Sequence, residues 1–151
     1  MTPARSIAPP DWMAGGPAAD IIGELSDKGA VARFIGGCVR DAIVGRSVSD
    51  IDLATDAVPD RVVEILGGAG IRTEPTGIEH GTVTAIVGDR PYQITTLRRD
   101  VETDGRRAVV NFTTDWAEDA GRRDFTINAL SADADGSVYD YVDGLEIGRA
   151  H

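Results

Sequence analysis

The sequence predicts a small α/β (α+β) domain, a mixed sheet with flanking helices, and three observations predict it. Apolar residues recur at helical spacing in some segments, and short β-branched runs occupy others. Gly and Pro fall where one period gives way to the next. A chain of 151 residues that is 42% apolar can bury one core.

Residues 1–16 form a Pro/Gly-rich lead, expected to be flexible. Ile21, Ile22 and Leu25 share one face of a helix over Pro17 to Lys28, with Gly29 as its stop. Val31 to Ile35 is a short apolar run that ends in Gly36-Gly37, and Cys38 to Val44 is a helix closed by Gly45. Ile51 to Ala54 reads as a second strand. Pro59 to Leu66 reads as a helix with proline in its first turn, Gly67-Gly68 at its end, and Val62, Val63 and Leu66 on its inner face.

Thr82 to Val87 and Tyr92 to Leu97 are β-branched runs joined around Gly88-Asp89, a hairpin signal that Pro91 complicates. Arg98 to Val110 is charged around Asp104-Gly105 and reads as a mobile loop. Asp124 to Ala132 returns to helical spacing, and Val138 to Tyr141 is a last short strand.

Composition narrows the chemistry. Cys38 is the only cysteine, and the histidines are His80 and His151, which leaves neither a disulfide nor a Cys/His zinc site. A metal would be held by carboxylates, which suits hard ions such as magnesium or manganese. The net charge of −10 argues against a broad phosphate-binding surface, so a nucleic acid would take most of its grip elsewhere. No apolar stretch approaches the roughly 20 residues of a membrane span, and Arg5, Pro9, Pro10 and Asp11 do not make a secretory leader. The expected location is cytoplasmic.

The sharpest segment is GGCVRDAIVGRSVSDIDLATDA, Gly36 to Ala57. Side chains alternate along a strand, so Asp50 and Asp52 share one face while Ile51 and Leu53 turn to the core. Two carboxylates this close repel, and a divalent cation resolves the conflict. Gly36 and Gly37 open the preceding helix, whose free N–H groups suit an anion such as phosphate. Each part also has a plain reading: Gly-Gly turns are common in α/β proteins, and strand-end carboxylates are mostly solvated or cap turns. Arg40 and Asp41 read equally as part of the site or as an ion pair that fixes the turn.

With these residues in order, Gly36, Gly37, Arg40, Asp41, Gly45, Asp50 and Asp52, the chain resembles the class II tRNA nucleotidyltransferase (CCA-adding) and bacterial poly(A) polymerase family, at its N-terminal head domain. YQITTLRRDVETDGR from Tyr92 resembles the family's strand and flexible loop, and RRDFTINAL from Arg122 its ribose-recognition motif. The resemblance implies a polymerase β-like nucleotidyltransferase head over residues 17–145, with residues 146–151 as a short tail where a neck would begin.

It further implies that Asp50 and Asp52 are catalytic and ligate Mg2+. Gly36, Gly37 and Arg40 would contact phosphate, while Arg123, Asp124 and Asn128 would meet the ribose and triphosphate of the nucleotide. The structural alternative for the last block is a capped amphipathic helix with Phe125, Ile127 and Leu130 in the core. His80 receives no role, and Trp12 and Trp116 read as packing anchors.

Implied partners are ATP, CTP and the 3′ end of tRNA, with no membrane. The implied activity is nucleotide addition to RNA 3′ ends, CCA addition to tRNA before polyadenylation. Two features depart from the family pattern. Gln93 stands where the family usually carries a glutamate, and the helical neck, body and tail are expected to be absent, so a helical partner chain could complete the enzyme. The alternative is a truncated, non-catalytic nucleotide-binding remnant.

Overall fold

The computed structural model describes residues 3–48, 50–74, 77, 80–101, 109–123 and 129–141, with backbone alone at 100, 101, 109 and 110. In chain order its elements are β1 (Arg5–Ser6), α1 (Asp11–Ala14), α2 (Pro17–Asp27), β2 (Ala32–Ile35), α3 (Gly37–Val44), β3 (Asp52–Thr55), α4 (Pro59–Gly68) and β4 (Arg72–Glu74). They continue as β5 (Thr82–Val87), β6 (Arg90–Thr96), β7 (Arg98–Val101), β8 (Val109–Phe112), α5 (Trp116–Gly121), β9 (Ser131–Ala132) and β10 (Ser137–Tyr139). Eight strands make one mixed sheet in the order β1-β10-β9-β2-β3-β6-β5-β4, and β7 pairs with β8 apart from it. The fold class read from the sequence holds.

The sheet centre is β2, β3 and β6. β2 runs antiparallel to β3, and β3 runs parallel to β6, with Asp52 in register with Gln93 and Leu53 with Ile94. A parallel pair needs a crossover, which α4, β4 and β5 supply. One sheet face is apolar: Phe34, Leu53, Ile94 and Val83 are fully buried and pack with Ile21 and Leu25 of α2 and Val62, Ile65 and Leu66 of α4. Burying a side chain of this size contributes roughly 1.5–3 kcal/mol. Pro17 and Pro59 each begin their helix, where the missing N–H costs nothing, and Asp20 and Asp60 place negative charge in the first turn.

The opposite face carries the polar residues. Ile35, Ala54 and Leu97 form a small second cluster there, capped by Trp116. Beside it the guanidinium of Arg33 lies 4.4 Å from the Trp116 ring and 3.8 Å from the Tyr139 ring, and donates to the Tyr141 hydroxyl at 2.9 Å. Trp12 meets Phe34 edge-on at 5.2 Å on the apolar side. Both tryptophans are packing residues.

Several segments differ from their sequence reading. The lead is partly ordered: Arg5 and Ser6 pair with β10, and α1 buries Met13 completely, because the chain end can cover apolar surface left by β2. On α4 the inner face is Val62, Ile65 and Leu66, while Val63 is exposed, since Ile65 rather than Val63 continues the i, i+3, i+4 stripe. The ends of the expected loop over 98–110 are strands, Arg98–Val101 pairing with Val109–Phe112, because ladder hydrogen bonds satisfy the polar backbone of a charged segment as well as solvent does. Residues 102–108 lie outside the described residues.

Most of the helix expected from Asp124 to Ala132 also lies outside them, but Ser131 and Ala132 are strand, paired with both β2 and β10. Sheet pairing there overrides helical spacing. The hairpin at Gly88-Asp89 is as read: both residues have positive φ, 56° and 67°, the geometry that matches the twist of the flanking strands, and Pro91 sits inside β6 opposite Ile86. No helix among the described residues is long and apolar enough to cross a membrane.

Candidate functional site

β3 begins at Asp52, where the sheet's polar face opens to solvent. Asp50, Ile51 and Asp52 line one cavity together with Arg90, Pro91, Tyr92 and Gln93; the two aspartates are exposed, and Ile51 and Leu53 are buried. The alternation of exposure expected from the sequence is therefore present, although the strand begins only at Asp52, one residue later than read, and Asp50 precedes it. Residues in register across a sheet point to one face, so the Asp52–Gln93 pairing sets the Gln93 amide beside the carboxylate. Burial and the charge of Asp50 raise the Asp52 pKa, and the charge of Arg123 lowers it. The negative charge of Asp50 thus bears on Asp52.

A second cavity of about 440 Å³ continues from Asp52 and Gln93 to Gly36, His80, Thr82, Thr95, Arg98, Arg122 and Arg123. Gly36 enters α3 with φ 78° and ψ −139°, backbone that residues with a Cβ avoid, and its C=O accepts the first helical bonds from Val39 and Arg40. The helix start therefore faces the same space as Asp52. α3 ends at Gly45 in the left-handed conformation, with the Arg46 N–H donating to the Asp41 carbonyl at 2.8 Å. Eight residues of helix thus link the glycine turn to the aspartate strand.

Cys38 joins the same two elements. Its thiol donates to the Ile35 carbonyl at 3.3 Å and lies 3.9 Å from the Asp52 carbonyl, and burial pushes its pKa up to about 11. It is a packing residue and stays a thiol. Arg40 bonds Asp41 at 3.3 Å, and its guanidinium lies 3.6 Å from where a Cβ on Gly37 would stand. Of the two readings of this pair, the ion pair is seen, and it holds Arg40 over the glycine turn.

Arg123 reaches the cavity with its Nε donating to Asp119 Oδ2 at 3.0 Å. Asp124 and Asn128 lie outside the described residues. Asp119 itself escaped the sequence reading. It is 1% exposed, and it also accepts from the Arg122 Nε at 3.1 Å and the Arg98 backbone N–H at 2.9 Å. The signal that would have found it is the spacing in DAGRR, since an aspartate three and four residues before arginines shares their helix face.

The oxygen-only donor set of Asp50 and Asp52 fits a hard divalent cation. Magnesium-type ions need one or two protein carboxylates and complete their shell with water and phosphate. Among the described residues no three His, Cys, Asp or Glu side chains converge, so an all-protein cage of the zinc type is not formed there.

A mixed α/β sheet with Asp52 at the start of a central strand and Asp50 just before it, a glycine turn beside Asp52 and arginines lining the same cavity has the fold of a nucleotidyltransferase head. The chain belongs to the Poly A polymerase head domain family, whose sequence profile matches residues 32–147. It is 50% identical over 115 residues to the human mitochondrial CCA tRNA nucleotidyltransferase 1, covering 76% of this chain and 26% of that protein. The zebrafish (Danio rerio) counterpart is 47% identical over 115 residues, covering 76% and 27%. Among solved structures it resembles the Bacillus stearothermophilus CCA-adding enzyme in complex with CTP, with a TM-score of 0.75 and 38% identity over 87% of this chain and 31% of that one. The chain spans about a quarter of the length of these curated relatives. The family implies a divalent metal.

Proposed function

We propose that this chain is the catalytic head of a metal-dependent nucleotidyltransferase that adds nucleotides to RNA 3′ ends, with CCA addition to tRNA favoured over polyadenylation. The observation that carries the reading is the convergence of Asp50, Asp52, the Gly36 turn and Arg123 on adjoining cavities at one end of the sheet. Relatives named for CCA addition, one of them bound to CTP, support the choice of substrate.

Asp50 and Asp52 would hold magnesium, which when bound activates the RNA 3′-hydroxyl and steadies the triphosphate in an in-line displacement. The chain's own residues divide the remaining work. Gly36 and Gly37 offer backbone N–H groups at a helix start, where an anion is favoured. Arg40 and Arg123 bring fixed positive charge to phosphate oxygens, as a planar guanidinium does well. The family resemblance further assigns Asp124 and Asn128 to the ribose and triphosphate, where an aspartate can accept from a hydroxyl. ATP, CTP and the tRNA 3′ end are the proposed partners.

A helical partner chain, expected from the family resemblance, belongs to the same proposal, as does a cytoplasmic location. The head is taken to cover residues 17–145. Labelled CTP and ATP offered with tRNA lacking its terminal CCA test the reading, with and without a helical partner. Magnesium-dependent incorporation that is lost in Asp52→Asn supports it, and incorporation that survives Asp52→Asn overturns it.

One observation favours a second reading. Gln93 stands directly beside Asp52, and an amide neither carries charge nor serves as a base. That fits a head that binds nucleotide without transferring it. Pyrophosphate release separates the two: binding of CTP with no release favours the remnant.

A further inference from the structure

Three arginines, Arg98, Arg122 and Arg123, line the cavity that continues from Asp52 in a chain whose net charge is −10. Side chains as long as arginine lose much rotamer freedom when they are held, so a cluster of them facing one cavity needs a fixed counter-group. We propose that Asp119 is a positioning residue for the nucleotide's phosphates, acting through Arg122 and Arg123, an assignment that rests on the reading of this cavity as a nucleotide site.

The geometry carries it. Asp119 sits in α5 at 1% exposure, with both carboxylate oxygens used. Oδ1 accepts from the Arg98 backbone N–H at 2.9 Å, from Arg122 Nε at 3.1 Å and from Arg122 Nη2 at 3.1 Å. Oδ2 accepts from Arg123 Nε at 3.0 Å. Arg122 Nε also donates to the Arg98 carbonyl at 3.2 Å, which closes a ring between α5 and β7. Arg123 is thus gripped by its inner nitrogen, and among the described residues its two Nη groups are left for the cavity.

Arg98 adds an independent observation. Its Nε is buried and finds no acceptor among the described residues, a donor that an anionic ligand would satisfy. A buried carboxylate shared by two guanidinium groups gives little net stability over apolar packing, but it fixes orientation. Orientation is what phosphate recognition by a planar fork requires.

The test reads binding apart from turnover. The affinities of the full chain for CTP and for inorganic tripolyphosphate are measured by titration calorimetry, with cytidine as the phosphate-free control. Asp119→Asn is expected to weaken both phosphorylated ligands about tenfold and to leave cytidine unchanged. Arg123→Gln is expected to lose a similar factor, and the double variant little more, because both changes remove one device.

Wild-type affinity in Asp119→Asn, or losses that multiply in the double variant, would overturn the assignment. If Asp119→Asn does not fold, Asp119→Glu decides by the same criterion. It keeps the charge and displaces it, so a loss confined to phosphorylated ligands supports the proposal and unaltered affinity overturns it. A wild-type chain that binds neither phosphorylated ligand would instead sink the nucleotide-site reading itself.

Discussion

Asp52 lines a cavity whose arginines are held by Asp119, and the two carboxylates live under opposite electrostatics. Asp119 is buried, and three arginine residues satisfy both of its oxygens. Asp52 is open to solvent at the start of β3, and its neighbours work against its charge, with burial and Asp50 raising its pKa against the lone help of Arg123. A carboxylate matched by fixed cations is part of the architecture. One held beside a like charge is costly to the apo fold, and such cost is tolerated where a cation serves the chemistry.

The contrast breaks most readily at Asp52. Asp52→Asn should reduce magnesium-dependent incorporation by more than about a hundredfold, the several kcal/mol a metal contributes at roughly 1.4 kcal/mol per tenfold. The same variant should not weaken the fold. Because its pKa is raised, Asp52 favours the native state when protonated, and that preference is lost as pH rises through the raised value. In a metal chelator Asp52→Asn should therefore melt at a higher temperature than the parent at pH 7, with the difference shrinking as the pH falls through the carboxylate range. A lower melting temperature at pH 7 would mean that Asp52 is structural.

Asp119 should behave in the reverse way. Asp119→Ala leaves two arginines facing a lost charge and should cost about 3–5 kcal/mol in urea denaturation. A loss of under about 1 kcal/mol would place Asp119 with ordinary exposed ion pairs.

A smaller effect is expected between the two regions, at Gln93. Gln93→Glu should raise incorporation severalfold by adding a carboxylate beside Asp52. An unchanged rate would show that this position does not matter.

Cys38 gives the mildest readout. With its pKa near 11, the thiol should ignore a disulfide reagent at pH 8 until urea unfolds the chain. Its contribution to stability should hold below the ordinary value of 9.0 and fade as pH rises toward 11. Rapid labelling of the native protein would place Cys38 at the surface.

The central elements were readable because their signals are local. Gly36-Gly37 before a helix, alternation over Asp50 to Leu53, and Gly88-Asp89 between β-branched runs each report backbone geometry within a few residues. The errors came where the deciding partner is distant in sequence. Met13 is ordered by the core it covers, and Ser131 and Ala132 are strand because β2 and β10 flank them. Val63 shows that a stripe's position, unlike its period, depends on where the sheet lies.

By itself, then, the sequence determined the order of helices and strands through the core, the glycine turn, and the alternation that leaves Asp50 and Asp52 exposed around a buried Ile51. It also carried the family resemblance, because a motif is a statement about neighbours in the chain. Only the tertiary structure decided that Gln93 stands beside Asp52, that Arg33 lies against both Trp116 and Tyr139, and that Asp119 accepts from the Arg98 backbone and so ties α5 to β7. Those pairings join strands and helices far apart in the chain, and a side chain's charge partners are set by packing in space, which no local period encodes.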